Sequence, residues 1–236
     1  MNKAVYFEHG HISFKDSQSK NELYFYGDIV GSEWDVWSSD DKCPQDVAEI
    51  LNAIPNDAPL DIYINSGGGD VQAGIAIYHQ LRRRDGKNTV HVDGIAASIA
   101  SVIAMAGDEI IIPKAAQFMI HKPWSWGWGN ADDLRKTADI LDVCQKSIMD
   151  IYMEKVVSGI ERDTIEGMVN AETWLTGAQA AEYFNITVED VPAAAACASK
   201  YFGNYKHTPP FSASQQSKAD EIERLRLELK LKTMMI

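Results

Sequence analysis

Ser98 stands in the run Gly94-Ile95-Ala96-Ala97-Ser98-Ile99-Ala100-Ser101, where a strand pattern gives way to a helix pattern among small residues. A nucleophilic serine needs this setting: backbone close by, little side-chain bulk, and amides of the new helix facing developing negative charge. The same run also suits a small-residue helix packed tightly on its neighbour, with the hydroxyl bonded to a carbonyl one turn back. His121 follows Gln117 to Ile120 and precedes Lys122-Pro123, so its backbone is extended and its ring can leave a sheet edge. Histidine serves equally as a general base or as a structural group. The other histidines have less support: His9, His11 and His207 fall in flanking segments, His79 in a helix pattern and His91 in a strand pattern.

A third feature is Asn65-Ser66-Gly67-Gly68-Gly69-Asp70, between a strand pattern and a helix pattern. It lacks the Lys-Ser/Thr ending of a nucleoside-triphosphate loop and the spaced glycines of a dinucleotide fingerprint. A turn of this kind can present backbone N–H groups to an oxyanion or to a substrate backbone, or it can simply be tight.

These groups require a frame of alternating strands and helices. Leu23 to Tyr26 reads as a strand ending at Gly27-Asp28, and Val47, Ile50, Leu51 and Ile54 recur at helical spacing after Pro44. Leu60 to Ile64 is a strand that feeds the glycine turn and a helix to about Arg83. Thr89 to Val92 is a strand closed by a turn at Asp93-Gly94, and Glu109 to Ile112 and Gln117 to Ile120 are further strands. Asn130 is a candidate N-cap for a long helix to about Val157, where Ser158-Gly159 stops it. Shorter helices are expected over Ile160 to Val169 and Gly177 to Phe184, with a last strand at Ile186 to Val188. Strands alternating with helices predict a parallel sheet with right-handed crossovers. The expected organisation is an N-terminal segment at 1–21, one α/β domain at 22–189, and a linker with an amphipathic C-terminal helix at 190–236.

Composition narrows the function classes. A formal net charge of -12 argues against binding a phosphate backbone, which depends on clustered Lys and Arg, and the short run Arg82 to Arg84 suits a helix C-terminus. The three cysteines, Cys43, Cys144 and Cys197, show no metal-ligand spacing and fit free thiols in a reducing compartment. No stretch reads as a signal peptide or a membrane span, and a cytoplasmic protein is expected.

The order of the motifs resembles the proteolytic subunit of Clp proteases across about Leu23 to Val188. The motifs are Asn65-Ser66 with the glycine turn, Gly94-x-Ala96-Ala97-Ser98, Met119-Ile120-His121-x-Pro123, and Trp174-Leu175-Thr176-Gly177-Ala178-Gln179-Ala180-Ala181-Glu182-Tyr183. The resemblance implies the Clp/crotonase fold of stacked β-β-α units, with a projecting handle built from the helix after Asn130 and the strand before it. It implies Ser98 as nucleophile, His121 as general base, and an oxyanion hole of the Gly69 and Ile99 N–H groups, with no metal and no cofactor. The family's acid is an aspartate four residues before the Ser/Thr of this last motif. That position is Glu172 here, whereas Asp163 lies nine residues earlier. A second departure is Gly67, where the family usually carries proline. Gly68, Trp124, Ser125 and Trp126 are the implied substrate contacts, an extended peptide lying against the handle strand with alternate side chains in pockets; the tryptophans suit packing between handles of neighbouring subunits equally well.

The implied assembly is a homo-oligomer of two stacked seven-membered rings, acting on peptides or proteins. The Glu172-Thr173-Trp174 form of the acid motif is similar to ClpP-like head-maturation proteases of bacteriophages, which act on scaffold or capsid proteins. The alternative is a cellular subunit fed by an ATP-driven unfoldase, since the chain has no ATP-binding loop of its own. An acyl-CoA enzyme of the crotonase type and a non-enzymatic scaffold are the remaining readings.

Overall fold

A computed structural model describes residues 21–191 and 199–208 of the chain. Residues 1–20, the C-terminal helix expected beyond 218, and Cys197 lie outside the described residues. The strands are β1 (Asn21–Phe25), β2 (Leu60–Ser66), β3 (Asn88–Ala97), β4 (Glu109–Pro113), β5 (Gln117–Ile120), β6 (Thr173–Thr176) and β7 (Thr187–Glu189). The helices are α1 (Pro44–Asn52), α2 (Val71–Arg82), α3 (Ile99–Ala104), α4 (Ala131–Met153), α5 (Arg162–Ala171) and α6 (Gly177–Tyr183).

The sheet runs β1-β2-β3-β4-β7, all parallel, with β5 beside the end of β3 and β6 antiparallel to β5. This is the mostly parallel α/β arrangement that the resemblance implies. Alternation along β2 puts Leu60, Ile62 and Ile64 into the core, where they join Val90, Val92, Ile77, Leu81 and Ile103 beneath α2 and α3. On the other face Tyr24, Tyr63 and His91 stack across three strands with ring centroids 4.8 Å apart.

Two details differ from the sequence reading. β3 does not turn at Asp93-Gly94: both residues stay extended without positive φ, and the strand continues to Ala97. The reason is a change of partner. Thr89 to His91 pair with β4, whereas Ile95 to Ala97 pair with β5, so one strand spans a fork in the sheet. The segment Thr173–Thr176 is also a strand, pairing with β5 from Gln117↔Thr176 to Ile120↔Thr173.

The long helix begins as its cap predicts. Asn130 accepts from the backbone N–H groups of Asp132 and Asp133, and Asp133 returns a bond to the Asn130 N–H. From Cys144 on it buries Cys144, Ile148, Met149, Ile151 and Tyr152, while Leu134, Ile140 and Val143 before that point are exposed. The helix therefore projects from the domain with apolar side chains uncovered. Before it, residues 121–128 form no strand, so the strand expected for the handle is not found there. None of the described helices is long and apolar enough to cross a membrane.

Candidate active site

The fork in the sheet is where Ser98 and His121 meet. Ser98 follows β3 and precedes α3, and its backbone N–H donates to the Met119 carbonyl at 2.9 Å. His121 lies two residues beyond Met119, so the strand that anchors the serine backbone also delivers the imidazole. Ser98 Oγ is 2.7 Å from His121 Nε2. Ser101 locks the turn from below, donating to the carbonyls of Ser98 and Met119 and sharing a 2.8 Å bond with the buried Tyr152 hydroxyl.

Ser98 has φ 56°, a conformation disfavoured for residues with a side chain. Among the described residues the one other non-glycine with positive φ is Glu172, at 54°, capping the C-terminus of α5. Such strain persists only where the surroundings impose it, and it clusters at functional sites. Both outliers belong to the set that the sequence singles out.

The glycine turn faces the same point. Ser66 Oγ donates to the Gly27 carbonyl and accepts from the Gly68 N–H, which pins the turn beneath β1. Ile29 bridges Gly69 in parallel fashion, through Ile29 N–H to the Gly68 carbonyl at 2.9 Å and Asp70 N–H to the Ile29 carbonyl at 2.8 Å. In a parallel bridge those flanking bonds turn the N–H of the bridged residue to the opposite side. For Gly69 that side is toward β3 and Ser98. Gly68 and Gly69 have φ of 103° and 151°, and a Cβ on Gly69 would lie 1.9 Å from the Ile29 oxygen, so a side chain is excluded there. Ile99, first residue of α3, is held by Gly74 on α2, whose absent side chain leaves room for the Ile99 side chain.

Burial pushes His121 down from its ordinary 6.5 to about 4, against an upward pull from the Glu172 charge. The ring is therefore neutral at physiological pH, as a proton acceptor must be. Glu172 reaches His121 through this charge and not through a hydrogen bond: its Oε1 accepts instead from the His207 N–H at 2.7 Å. Asp163 is exposed at the opposite end of α5.

The implied substrate contacts are less gathered. Gly68 lies against Ser98, a Cβ added there falling 2.7 Å from the serine Cβ. Trp124 and Trp126 touch edge to face at 6.0 Å, and the latter is 86% exposed. Ser125 is exposed and its hydroxyl donates to the Trp126 carbonyl. An open cleft of about 590 Å³ lies between α4 and α5, walled by Lys122, Lys146 and Arg162 with Asp142, Asp150 and Glu166, and none of the implied substrate contacts lines it.

The sequence reading missed the residues that close the site. Within the segment read as a linker, residues 199–208 fold over the Ser98–His121 pair. Tyr205 is buried with its ring 5.0 Å from that of His121 and edge-on to it, 6.0 Å from Trp174, and its hydroxyl donates to the Gly67 carbonyl. Ser199 donates to the buried Asp28 carboxylate. Aromatic spacing in Tyr201-Phe202-x-x-Tyr205 is the only local signal for this docking.

Comparison with known proteins adds a lineage. A family model described as Clp protease matches residues 37–186. The chain is 34% identical over 130 residues to the ATP-dependent Clp protease proteolytic subunit 1 of Chlamydia abortus, covering 53% of this chain and 66% of that protein, just under two thirds. It is 30% identical over 158 residues to the subunit 1 of Streptomyces avermitilis, covering 66% and 70%. With the ATP-dependent Clp protease proteolytic subunit of Ligilactobacillus salivarius it shares 32% over 150 residues, covering 61% and 75%.

Proposed function

The chain belongs to the Clp protease family, and from that premise we propose that it is a serine endopeptidase using Ser98, His121 and Glu172. The observation that carries this reading is the 2.7 Å contact between Ser98 Oγ and His121 Nε2 at a strand-to-helix turn. Ser98 Oγ attacks the peptide carbonyl carbon while His121 Nε2 takes its proton. The carbonyl oxygen, now negative, is held by the N–H groups of Gly69 and Ile99. Collapse of this intermediate breaks the C–N bond, and His121 returns the proton to the leaving amine. Water then attacks the Ser98 ester by the same route, regenerating the enzyme. Glu172 balances the imidazolium charge that forms in each step.

The exposed apolar pair Ile140 and Val143, one turn apart on α4, supports burial against another copy, and we read the working form as a homo-oligomeric ring. Two settings fit this chemistry. The Glu172-Thr173-Trp174 form of the acid motif favours phage head maturation on scaffold or capsid proteins. The relatives' names favour a proteolytic subunit working with an ATP-driven partner.

The test is to incubate the purified chain with casein and with short peptides, with and without an unfoldase, and to record its assembly mass. Peptide cleavage by a ring supports the reading, and unfoldase-dependent casein cleavage selects the cellular setting. No cleavage of any substrate by an assembled, folded chain contradicts it.

A further inference from the structure

We propose that residues 199–208 are a cis-acting lid that closes the Ser98–His121 site, with Tyr205 as its plug. This rests on the serine-peptidase reading and adds a means of control to it.

Four contacts carry the inference. The first is the position of the Tyr205 phenol. A Cβ built on Gly68 lies 3.2 Å from the Tyr205 hydroxyl oxygen and 2.7 Å from the Ser98 Cβ, so the phenol occupies the space between the glycine turn and the nucleophile. A substrate carbonyl has to enter that space to reach both Ser98 and the Gly69 N–H. The ring also covers the imidazole and sits in an apolar cluster with Ile95, Ala97, Met119 and Phe202.

The second is the fit of the turn to the lid. Gly67 lacks the positive φ that would demand glycine, yet a Cβ there would lie 2.4 Å from both Cβ and Oγ of Ser199 and 3.1 Å from the Phe202 ring. The residue is small because the lid packs on it. The departure from proline at this position thus has a local reason.

The third contact is Ser199 Oγ donating to the Asp28 carboxylate, both buried, across 171 residues of chain. A hydrogen bond from a buried hydroxyl to a buried carboxylate is charge-assisted and stronger than a casual surface contact. The fourth involves the acid. Glu172 accepts from the His207 N–H, and the His207 Nδ1 lies 3.8 Å from the same oxygen. The lid therefore holds the carboxylate that would otherwise orient His121.

Closure by this segment does three things at once: it narrows the approach to Ser98, which keeps partial exposure, buries His121 and engages Glu172. Opening frees all three together, so lid position sets the fraction of competent enzyme.

The experiment measures the rate at which a small fluorophosphonate modifies Ser98 in the full-length chain, for wild type, Tyr205→Ala and Ser199→Ala. Loss of a buried phenol should shift the lid equilibrium toward the open state by roughly ten- to a hundredfold, with a matching rise in labelling rate. Ser199→Ala should give a smaller rise. A synthetic peptide spanning residues 199–208 should slow labelling of Tyr205→Ala, and the same peptide carrying Tyr205→Ala should not. In wild type, phosphonylation should hasten trypsin cleavage after Lys206, because the adduct needs the plug's space. Equal or slower labelling in both variants, with no change in Lys206 cleavage on phosphonylation, overturns the lid while leaving the peptidase reading intact. Absence of labelling at Ser98 in every form overturns both.

Discussion

Asp28 and His121, two buried groups tied to the lid, should titrate in opposite senses between pH 4 and 6.5, and their variants should separate accordingly. Burial lowers His121 from 6.5 to about 4, with the Glu172 charge opposing. The folded chain then binds fewer protons than the unfolded chain in that window. His121 therefore contributes stability that is present above pH 6.5 and lost as pH falls through about 4. Asp28 behaves the other way. Burial raises it from 3.8 to about 6, the Ser199 hydrogen bond and the Lys200 charge oppose this, and the Asp41 charge adds to it. Its contribution is full below pH 3.8 and lost as pH rises through about 6. At about 1.4 kcal/mol per pH unit, each amounts to about 3 kcal/mol of opposite slope. Urea unfolding of wild type, His121→Gln and Asp28→Asn at fixed protein concentration, in steps from pH 4 to 7, tests this. The stability of wild type relative to His121→Gln should grow with pH, and that relative to Asp28→Asn should shrink. Curves that run parallel at all pH values would show that neither group is held as described.

Glu172→Gln should lower peptide turnover by roughly a thousandfold or more with little change in KM, Glu172→Asp should keep part of the activity, and Asp163→Asn should match wild type. If Asp163→Asn is the inactive one, the acid has been placed on the wrong residue. Gly74→Ala would put a Cβ 2.0 Å from the Ile99 Cγ1, and such overpacking costs about 1–3 kcal/mol. Because the displaced residue is the proposed oxyanion donor, kcat should fall about tenfold or more while KM holds, and an unchanged kcat would remove Ile99 from that role. Ile140→Glu places a charge beside the exposed Val143 on α4 and should shift sedimentation toward smaller species. An undisturbed assembly would mean that another face joins the copies.

Local pattern revealed most of the frame, because strands with one buried face and helices with caps write their periods into the sequence. Pro44, Asn130 and the alternation through Leu60, Ile62 and Ile64 are of this kind. The fork was not legible, since Asp93-Gly94 looks like a turn until β4 and β5 are both in place to pair with β3. β6 escaped for the same reason: four residues gain strand geometry from β5 alone. The lid was hidden more deeply. Its stretch carries Gly203, Asn204 and Lys206 and has no buried period of its own, and its anchors at Asp28 and Gly67 lie 171 and 138 residues away. The proximity of Ser98 and His121 was legible only through motif order, because 23 residues separate them and the intervening strand β4 pairs elsewhere.

The most direct test of the central claim is to expose the folded chain to diisopropyl fluorophosphate, measure the intact mass and map the adduct. The account predicts one adduct per chain, on Ser98, absent in Ser98→Ala and formed at least a hundredfold more slowly in His121→Ala, in keeping with the loss of a general base. An adduct on another residue, or labelling of Ser98 at an undiminished rate in His121→Ala, would contradict it.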